Sequence, residues 1–162
     1  MEQPFLFRPM CKEDVKAVAQ IEQICFRSPW TEHMLMSEMK NRLAHYHVME
    51  QEGKIAAYAG MWILFDEAHI TNVAVLPQYR RKGLGRKLML FSMQTAVRFG
   101  ANKMTLEVRE SNVGAQTLYA EVGFVKAGKR RKYYSDTGED AYILWNEDIQ
   151  ATLEENGLET SI

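Results

Sequence analysis

The sequence predicts an α/β fold of the mixed α+β kind, a central mixed β-sheet flanked by helices. Apolar positions switch between period-two runs and helical spacing, in the order hairpin, strand, helix, strand, helix, strand after two N-terminal helices. The breaks between these patterns carry turn and stop residues such as Gly53, Pro77 and Gly100. No repeat, low-complexity stretch or Pro/Gly/Ser-rich linker divides the 162 residues. A chain of this length buries roughly two-thirds of the surface it exposes when unfolded, so a single domain is expected over residues 1–148, followed by a flexible tail over 149–162.

Residues 5–8 predict a short apolar strand. From 14 to 26, Val15, Val18, Ile21, Ile24 and Cys25 recur at helical spacing, Asp14 is placed to cap, and Pro29 breaks the chain afterwards. Residues 31–39 predict a second helix, capped by Thr31 and turning Met34, Leu35 and Met39 inward. A strand over 46–51, a tight turn at Glu52-Gly53 and a strand over 55–65 make a hairpin whose small, apolar second arm suits the middle of a sheet. Residues 69–75 are the next strand, closed at Leu76-Pro77 because proline has no N–H to give a ladder. From Gly83, Leu84, Leu88, Phe91, Thr95 and Phe99 hold one face of a helix of about four turns that stops at Gly100. Strand 104–108, helix 112–121, a short strand 124–126 and a last strand 141–145 follow. Beyond Asn146 amphipathic order is lost, and the run Glu154-Glu155-Asn156-Gly157 predicts a solvated, frayed end.

Bulk properties narrow the function classes. The formal net charge of -1 gives no general attraction to nucleic acid or anionic membrane, so neither is expected as a partner and any anion site must be local. The local candidates are Arg80-Arg81-Lys82 with Arg86-Lys87, and Lys126 with Lys129-Arg130-Arg131-Lys132. Cys11 and Cys25 are the two cysteines and read as structural thiols in a reducing compartment. The N-terminal residues lack a basic segment followed by an apolar run, and no stretch approaches the ~20 apolar residues of a spanning helix, so a soluble cytoplasmic protein is expected. His45 and His47 share one strand face without a cysteine or acidic third ligand at metal spacing, so no metal site is expected.

The first basic cluster has context. It stands after a strand and immediately before a long amphipathic helix, whose first N–H groups are unpaired and carry partial positive charge. Gly83 and Gly85 have no side chain to keep a diphosphate from those groups, and the flanking Arg80, Arg81, Lys82 and Arg86 add charge-assisted bonds. The spacing is neither that of a Walker A loop nor the Gly-x-Gly-x-x-Gly of dinucleotide binders.

Further motifs accompany this loop: Asn72-Val73-Ala74-Val75, Leu106-Glu107-Val108-Arg109, Ser111-Asn112, Ala115 to Tyr119, and Gly123-Phe124. Together they resemble the GNAT acetyltransferases over about residues 5 to 148. Pro29-Trp30, Leu106-Glu107-Val108-Arg109 with Ser111-Asn112, and Arg131-Lys132-Tyr133-Tyr134 followed by Gly138-Glu139-Asp140-Ala141 narrow the resemblance to the RimI type, the ribosomal-protein-alanine N-acetyltransferases of bacteria. The resemblance implies the acyl-CoA N-acyltransferase fold, acetyl-CoA as cosubstrate, and transfer to the N-terminal alanine of a small-subunit ribosomal protein, the eighteenth of the bacterial series. By position it implies that Val73, Ala74 and Val75 meet the pantetheine arm, with Val73 and Val75 pairing through backbone groups. Arg81, Lys82, Gly83, Leu84, Gly85 and Arg86 would hold the pyrophosphate, Asn112 would touch the cofactor, Glu107 would accept a proton and Tyr119 would donate one. Ser28 replaces the phenylalanine that usually precedes Pro-Trp.

Making an amide from a thioester requires a neutral amine and a protonated leaving thiol. Glu107 lies in an alternating strand among apolar neighbours, where burial is expected to raise its pKa towards useful base strength. Tyr119 lies seven residues past Asn112, two helical turns along one face, and a phenol near 10 suits protonation of a thiolate. An α-amine costs about 3 kcal/mol less to deprotonate at neutral pH than a lysine, so a modest base favours peptide N-termini. Tyr133, Tyr134, Glu139 and Asp140 are candidates to line the peptide's path. The alternatives are a small-amine or lysine acetyltransferase of the same fold, and a non-catalytic acyl-CoA or ribosome-binding module that would place Lys129 to Lys132 against RNA phosphates.

Overall fold

In the computed structural model, residues 3–160 are described; residues 1 and 2 of the expected domain and 161 and 162 of the expected tail lie outside them. The strands are β1 (Leu6–Pro9), β2 (Ala44–Gln51), β3 (Lys54–Leu64), β4 (Glu67–Val75), β5 (Lys103–Arg109), β6 (Val125–Tyr134) and β7 (Glu139–Asn146). The helices are α1 (Val15–Cys25), α2 (Glu32–Met39), α3 (Leu84–Arg98), α4 (Val113–Glu121) and α5 (Ile149–Glu155). The strands hydrogen-bond in the order β1-β2-β3-β4-β5-β7-β6, with β4 and β5 parallel and β1–β2, β2–β3, β5–β7 and β6–β7 antiparallel. This is the mixed sheet with flanking helices that the sequence predicts.

The chain packs as two compact units, one made of residues up to Trp62 with Thr71–Phe91, the other of Ile63–Ile70 with residues from Ser92 onward. In the first, one core gathers Val15, Val18 and Ile21 of α1, Leu35 of α2, and Tyr46, Val48, Tyr58 and Ala74 of the strands. A second core sets Leu84 and Leu88 of α3 against Met49, Ala56, Ala57 and Ala59, with Val73 and Val75 beside them. Alternation along β4 therefore divides its side chains between two cores. The β2–β3 turn places Glu52 (φ 52°) and Gly53 (φ 78°) in the left-handed region that a two-residue hairpin turn requires. Thr31 caps α2 by accepting from the Met34 N–H at 3.2 Å.

Several local expectations are corrected. Ile24 is exposed because it lies about half a turn round the helix from Val15, and the inward position goes to Glu22, which accepts from the Tyr58 hydroxyl and from the Trp30 N–H at 2.9 Å. Asp14 does not cap α1: its carboxylate is taken by Arg8 at 2.7 and 2.9 Å and by the Cys11 N–H at 2.8 Å. Met34 is exposed while Leu35 is fully buried, and Phe99 is exposed because it follows the last residue of α3.

In the second unit the buried side chains include Met93 and Val97 of α3, Met104, Leu106 and Val108 of β5, Phe124, and Leu144 of β7. Two larger corrections fall here. The short strand expected at 124–126 is a ten-residue strand, β6, almost every residue of which is exposed, so no alternation marks it. The frayed tail is instead a helix, α5, capped by Asp148 accepting from the Ala151 N–H at 3.0 Å. Ile149 and Leu153 are fully buried, and Thr152 Oγ1 accepts from Asn146 Nδ2 at 2.8 Å, which also donates to the Val122 carbonyl at 3.0 Å. Leu153→Ala is accordingly expected to cost about 2–5 kcal/mol. At about 2–4 °C per kcal/mol for a chain of this size, a melting curve should show a clear fall in Tm, whereas a solvated tail would leave it unchanged.

Candidate active site

The residues expected to handle phosphate and proton lie in different units. In the first unit, β4 ends at Val75, a 3-10 turn spans Pro77–Tyr79, and α3 starts at Leu84. Arg80 folds back, its Nε donating to the Val75 carbonyl at 2.9 Å, which anchors the loop to the strand end. Arg81 (φ 64°) and Gly83 (φ 78°) both take left-handed conformations. This concave turn ahead of a helix suits an anion-binding nest. A Cβ built at Gly83 would meet nothing within 4 Å, so glycine is required there by its dihedral and the space beside it is open. The first bond of α3 is Lys87 N–H to the Gly83 carbonyl at 3.1 Å, so the N–H groups of Leu84 and Gly85 precede the helical ladder. Lys82 Nζ stands 5.9 Å from the centre of the Tyr79 ring. A diphosphate fits this set of open backbone donors and cations.

In the second unit, Met104, Leu106 and Val108 are buried on one face of β5 while Thr105, Glu107 and Arg109 take the other. Glu107 Oε2 is 2.7 Å from His69 Nε2, and Oε1 is 3.4 Å from Arg130 Nε. The pKa expected to rise moves the other way. Burial does raise it, but the His69 hydrogen bond and the charges of His69 and Arg130 outweigh burial and leave the carboxyl below its ordinary value. Glu107 is therefore ionised at neutral pH and a weak base taken alone.

Tyr119 is a buried residue of α4, edge-on to Phe124 with ring centroids 5.8 Å apart. Burial pushes its phenol up to about 12, above the value near 10 expected from the sequence, so it carries its proton throughout the neutral range. No buried side-chain nitrogen or oxygen among the described residues lacks a partner. Asn112 is the exposed N-cap of α4, its Oδ1 accepting from the Ala115 N–H at 3.1 Å. Tyr134, pushed up to about 12 chiefly by burial, lies within electrostatic reach of Arg109, Glu107 and Tyr119.

The β6–β7 hairpin is anchored through Arg109. Its guanidinium holds Asp136 at 2.7 and 3.1 Å and lies 4.0 Å from the Tyr134 ring centre. Glu139 accepts from the Ser111 N–H at 2.7 Å and Asp140 from the Lys132 N–H at 2.9 Å, so both acids brace the hairpin. Lys126 stacks on Tyr142 at 4.0 Å, and Lys129 pairs with Glu110 at 3.3 Å. His47 is stacked on Phe7 with centroids 4.6 Å apart, a packing role. Among the described residues no group of three or more His, Cys, Asp or Glu could hold a metal, and no helix is long and apolar enough to cross a membrane. The residues that sequence reasoning missed are His69 and Arg130, which reach Glu107 from strands far away in the chain.

A model of the acetyltransferase (GNAT) family matches residues 15–124. A Bacillus subtilis relative, provisionally named a ribosomal protein bS18-alanine N-acetyltransferase, is 43% identical over 139 residues, covering 85% of this chain and 92% of its own. The Escherichia coli K12 protein named ribosomal protein bS18-alanine N-acetyltransferase is 39% identical over 133 residues, covering 81% and 89%. The crystal structure of the ribosomal-protein-S18-alanine N-acetyltransferase from Escherichia coli superposes with a TM-score of 0.81 at 35% identity, covering 88% of this chain and 92% of that one.

Proposed function

Because the chain belongs to the acetyltransferase (GNAT) family, we propose that it transfers the acetyl group of acetyl-CoA to the α-amine of an N-terminal alanine, that of ribosomal protein bS18. The observation that carries the substrate is the 43% and 39% identity, over more than four-fifths of the chain, to proteins named for that reaction. Bound acetyl-CoA supplies the acetyl group as a thioester.

The chain's own residues then have separate tasks. The backbone donors at Gly83, Leu84 and Gly85, with the side chains of Arg81, Lys82 and Arg86, hold the pyrophosphate. The β4–β5 ladder ends at His69↔Thr105, and the strand beyond it, Val73, Ala74 and Val75, offers backbone groups to the pantetheine arm as a neighbouring strand would. Asn112 adds a contact to the cofactor from the start of α4. Glu107, ionised, takes one proton of the incoming ammonium; as the nitrogen bonds to the acetyl carbon and the carbon–sulfur bond breaks, Tyr119 gives its proton to the leaving thiolate, and the second proton lost by the nitrogen restores the phenol. A carboxylate held below its ordinary pKa is better matched to an α-amine than to lysine, whose deprotonation costs about 3 kcal/mol more.

The test is a set of synthetic peptides beginning in Ala, Ser and Met, with an N-blocked peptide containing lysine, incubated with the protein and acetyl-CoA and read by mass. One acetyl group on the α-amine of the alanine peptide, ahead of the others, is the expected result. Acetylation confined to lysine, or none, would overturn the substrate.

A further inference from the structure

His69 holds the carboxylate proposed as proton acceptor. β4 and β5 run parallel, and their ladder ends with His69 opposite Thr105. Glu107 is two residues further along β5 on the same face, so the His69 ring reaches it at 2.7 Å. The imidazole side chain is 38% exposed and the carboxylate 9%, so the histidine reaches solvent while the glutamate is sheltered behind it.

The other charged and titratable groups on this face make contacts of their own. Arg130 of β6 meets the second carboxylate oxygen at 3.4 Å, and Arg109 of β5 is committed to Asp136 and Glu139. Tyr133 and Tyr134 of β6 are raised, first by burial and also by the charge of Glu107, and stay neutral. On β4 itself, Glu67 is paired with Lys103 at 3.7 Å. The carboxylate is thus held on Oε2 by His69 and on Oε1 by Arg130.

We infer that His69 is a positioning residue for Glu107, its Nε2–H donating to Oε2 and aiming the carboxylate at the incoming amine. An ionised carboxylate only accepts, so the ring nitrogen is the donor. The inference rests on Glu107 being the acceptor.

The experiment measures kcat and the KM for acetyl-CoA with an alanine peptide, for the wild type and for His69→Gln, His69→Ala and Glu107→Gln, with melting curves to confirm that each variant is folded. The glutamine amide still donates an N–H, whereas alanine donates nothing. His69→Gln is therefore expected to keep kcat within about threefold, and His69→Ala to lose about tenfold in kcat with the KM for acetyl-CoA unchanged. Full kcat in His69→Ala, or an equal loss in His69→Gln and His69→Ala, would overturn the role of His69. If Glu107→Gln itself retains full kcat, the acceptor assignment fails and this inference with it. A fall in Glu107→Gln together with full kcat in His69→Ala removes His69 alone.

Discussion

Glu107→Gln is expected to lower kcat by about 10²- to 10³-fold while leaving the KM for acetyl-CoA unchanged. The amide fills the same space between His69 and Arg130 but accepts no proton from the ammonium, so the loss appears in the chemical step. Steady-state kinetics with an alanine peptide check it, and a variant as active as the wild type would remove Glu107 from the reaction. The same substitution has a signature in stability. The folded carboxyl titrates below its unfolded value, so its stabilising contribution is present above the unfolded pKa, about 4.3, and is lost as acid protonates the folded group. The variant should therefore melt earlier than the wild type at neutral pH, and the difference should shrink as the pH falls through that window.

Gly83→Asp should raise the KM for acetyl-CoA by about 100-fold, whereas Gly83→Asn should raise it only a few-fold. The comparison isolates charge. Asn and Asp tolerate the left-handed conformation better than other side chains, and nothing lies within 4 Å of a Cβ at this position, so both variants fit the loop. Only the aspartate sets a negative group beside the donors that would hold the pyrophosphate. A ligand that binds the folded state raises Tm, so CoA should stabilise the wild type and the asparagine variant and fail to stabilise the aspartate variant. Equal KM values for the two variants would mean that the loop does not bind an anion.

How much of this could be read from the residues depends on whether the relevant physics is local. The glycine-bearing turn before α3, the Thr31 cap and the Glu52-Gly53 hairpin are contiguous in sequence, and each carries its own geometric requirement. The surroundings of Glu107 are not local. Alternation in β5 places it on the face opposite Met104, Leu106 and Val108, but His69 is 38 residues away on a parallel strand and Arg130 lies on β6, so the two groups that reverse its pKa shift are set by strand pairing alone. Strand β6 escapes detection because pattern reading depends on a buried face, and this strand has almost none. In α5 the signal is present but brief: Asp148 as cap, then Ile149, Thr152 and Leu153 at helical spacing, two turns among acidic residues.

The exposure of β6 has a consequence for self-association. The strand order leaves β1 and β6 as the two edges of the sheet, each with a row of backbone groups to which a foreign strand could add. β1 is only four residues long and ends in Pro9, which has no N–H to offer. β6 is ten residues long, but it carries Lys126, Lys129, Arg130, Arg131 and Lys132, so a second copy approaching edge to edge meets its own cations. That repulsion acts as a colloidal brake whose reach is the screening length, about 8 Å at physiological salt and about 3 Å at 1 M. The long edge is guarded by charge and the short one by its covalent structure, so only the first protection weakens as salt rises.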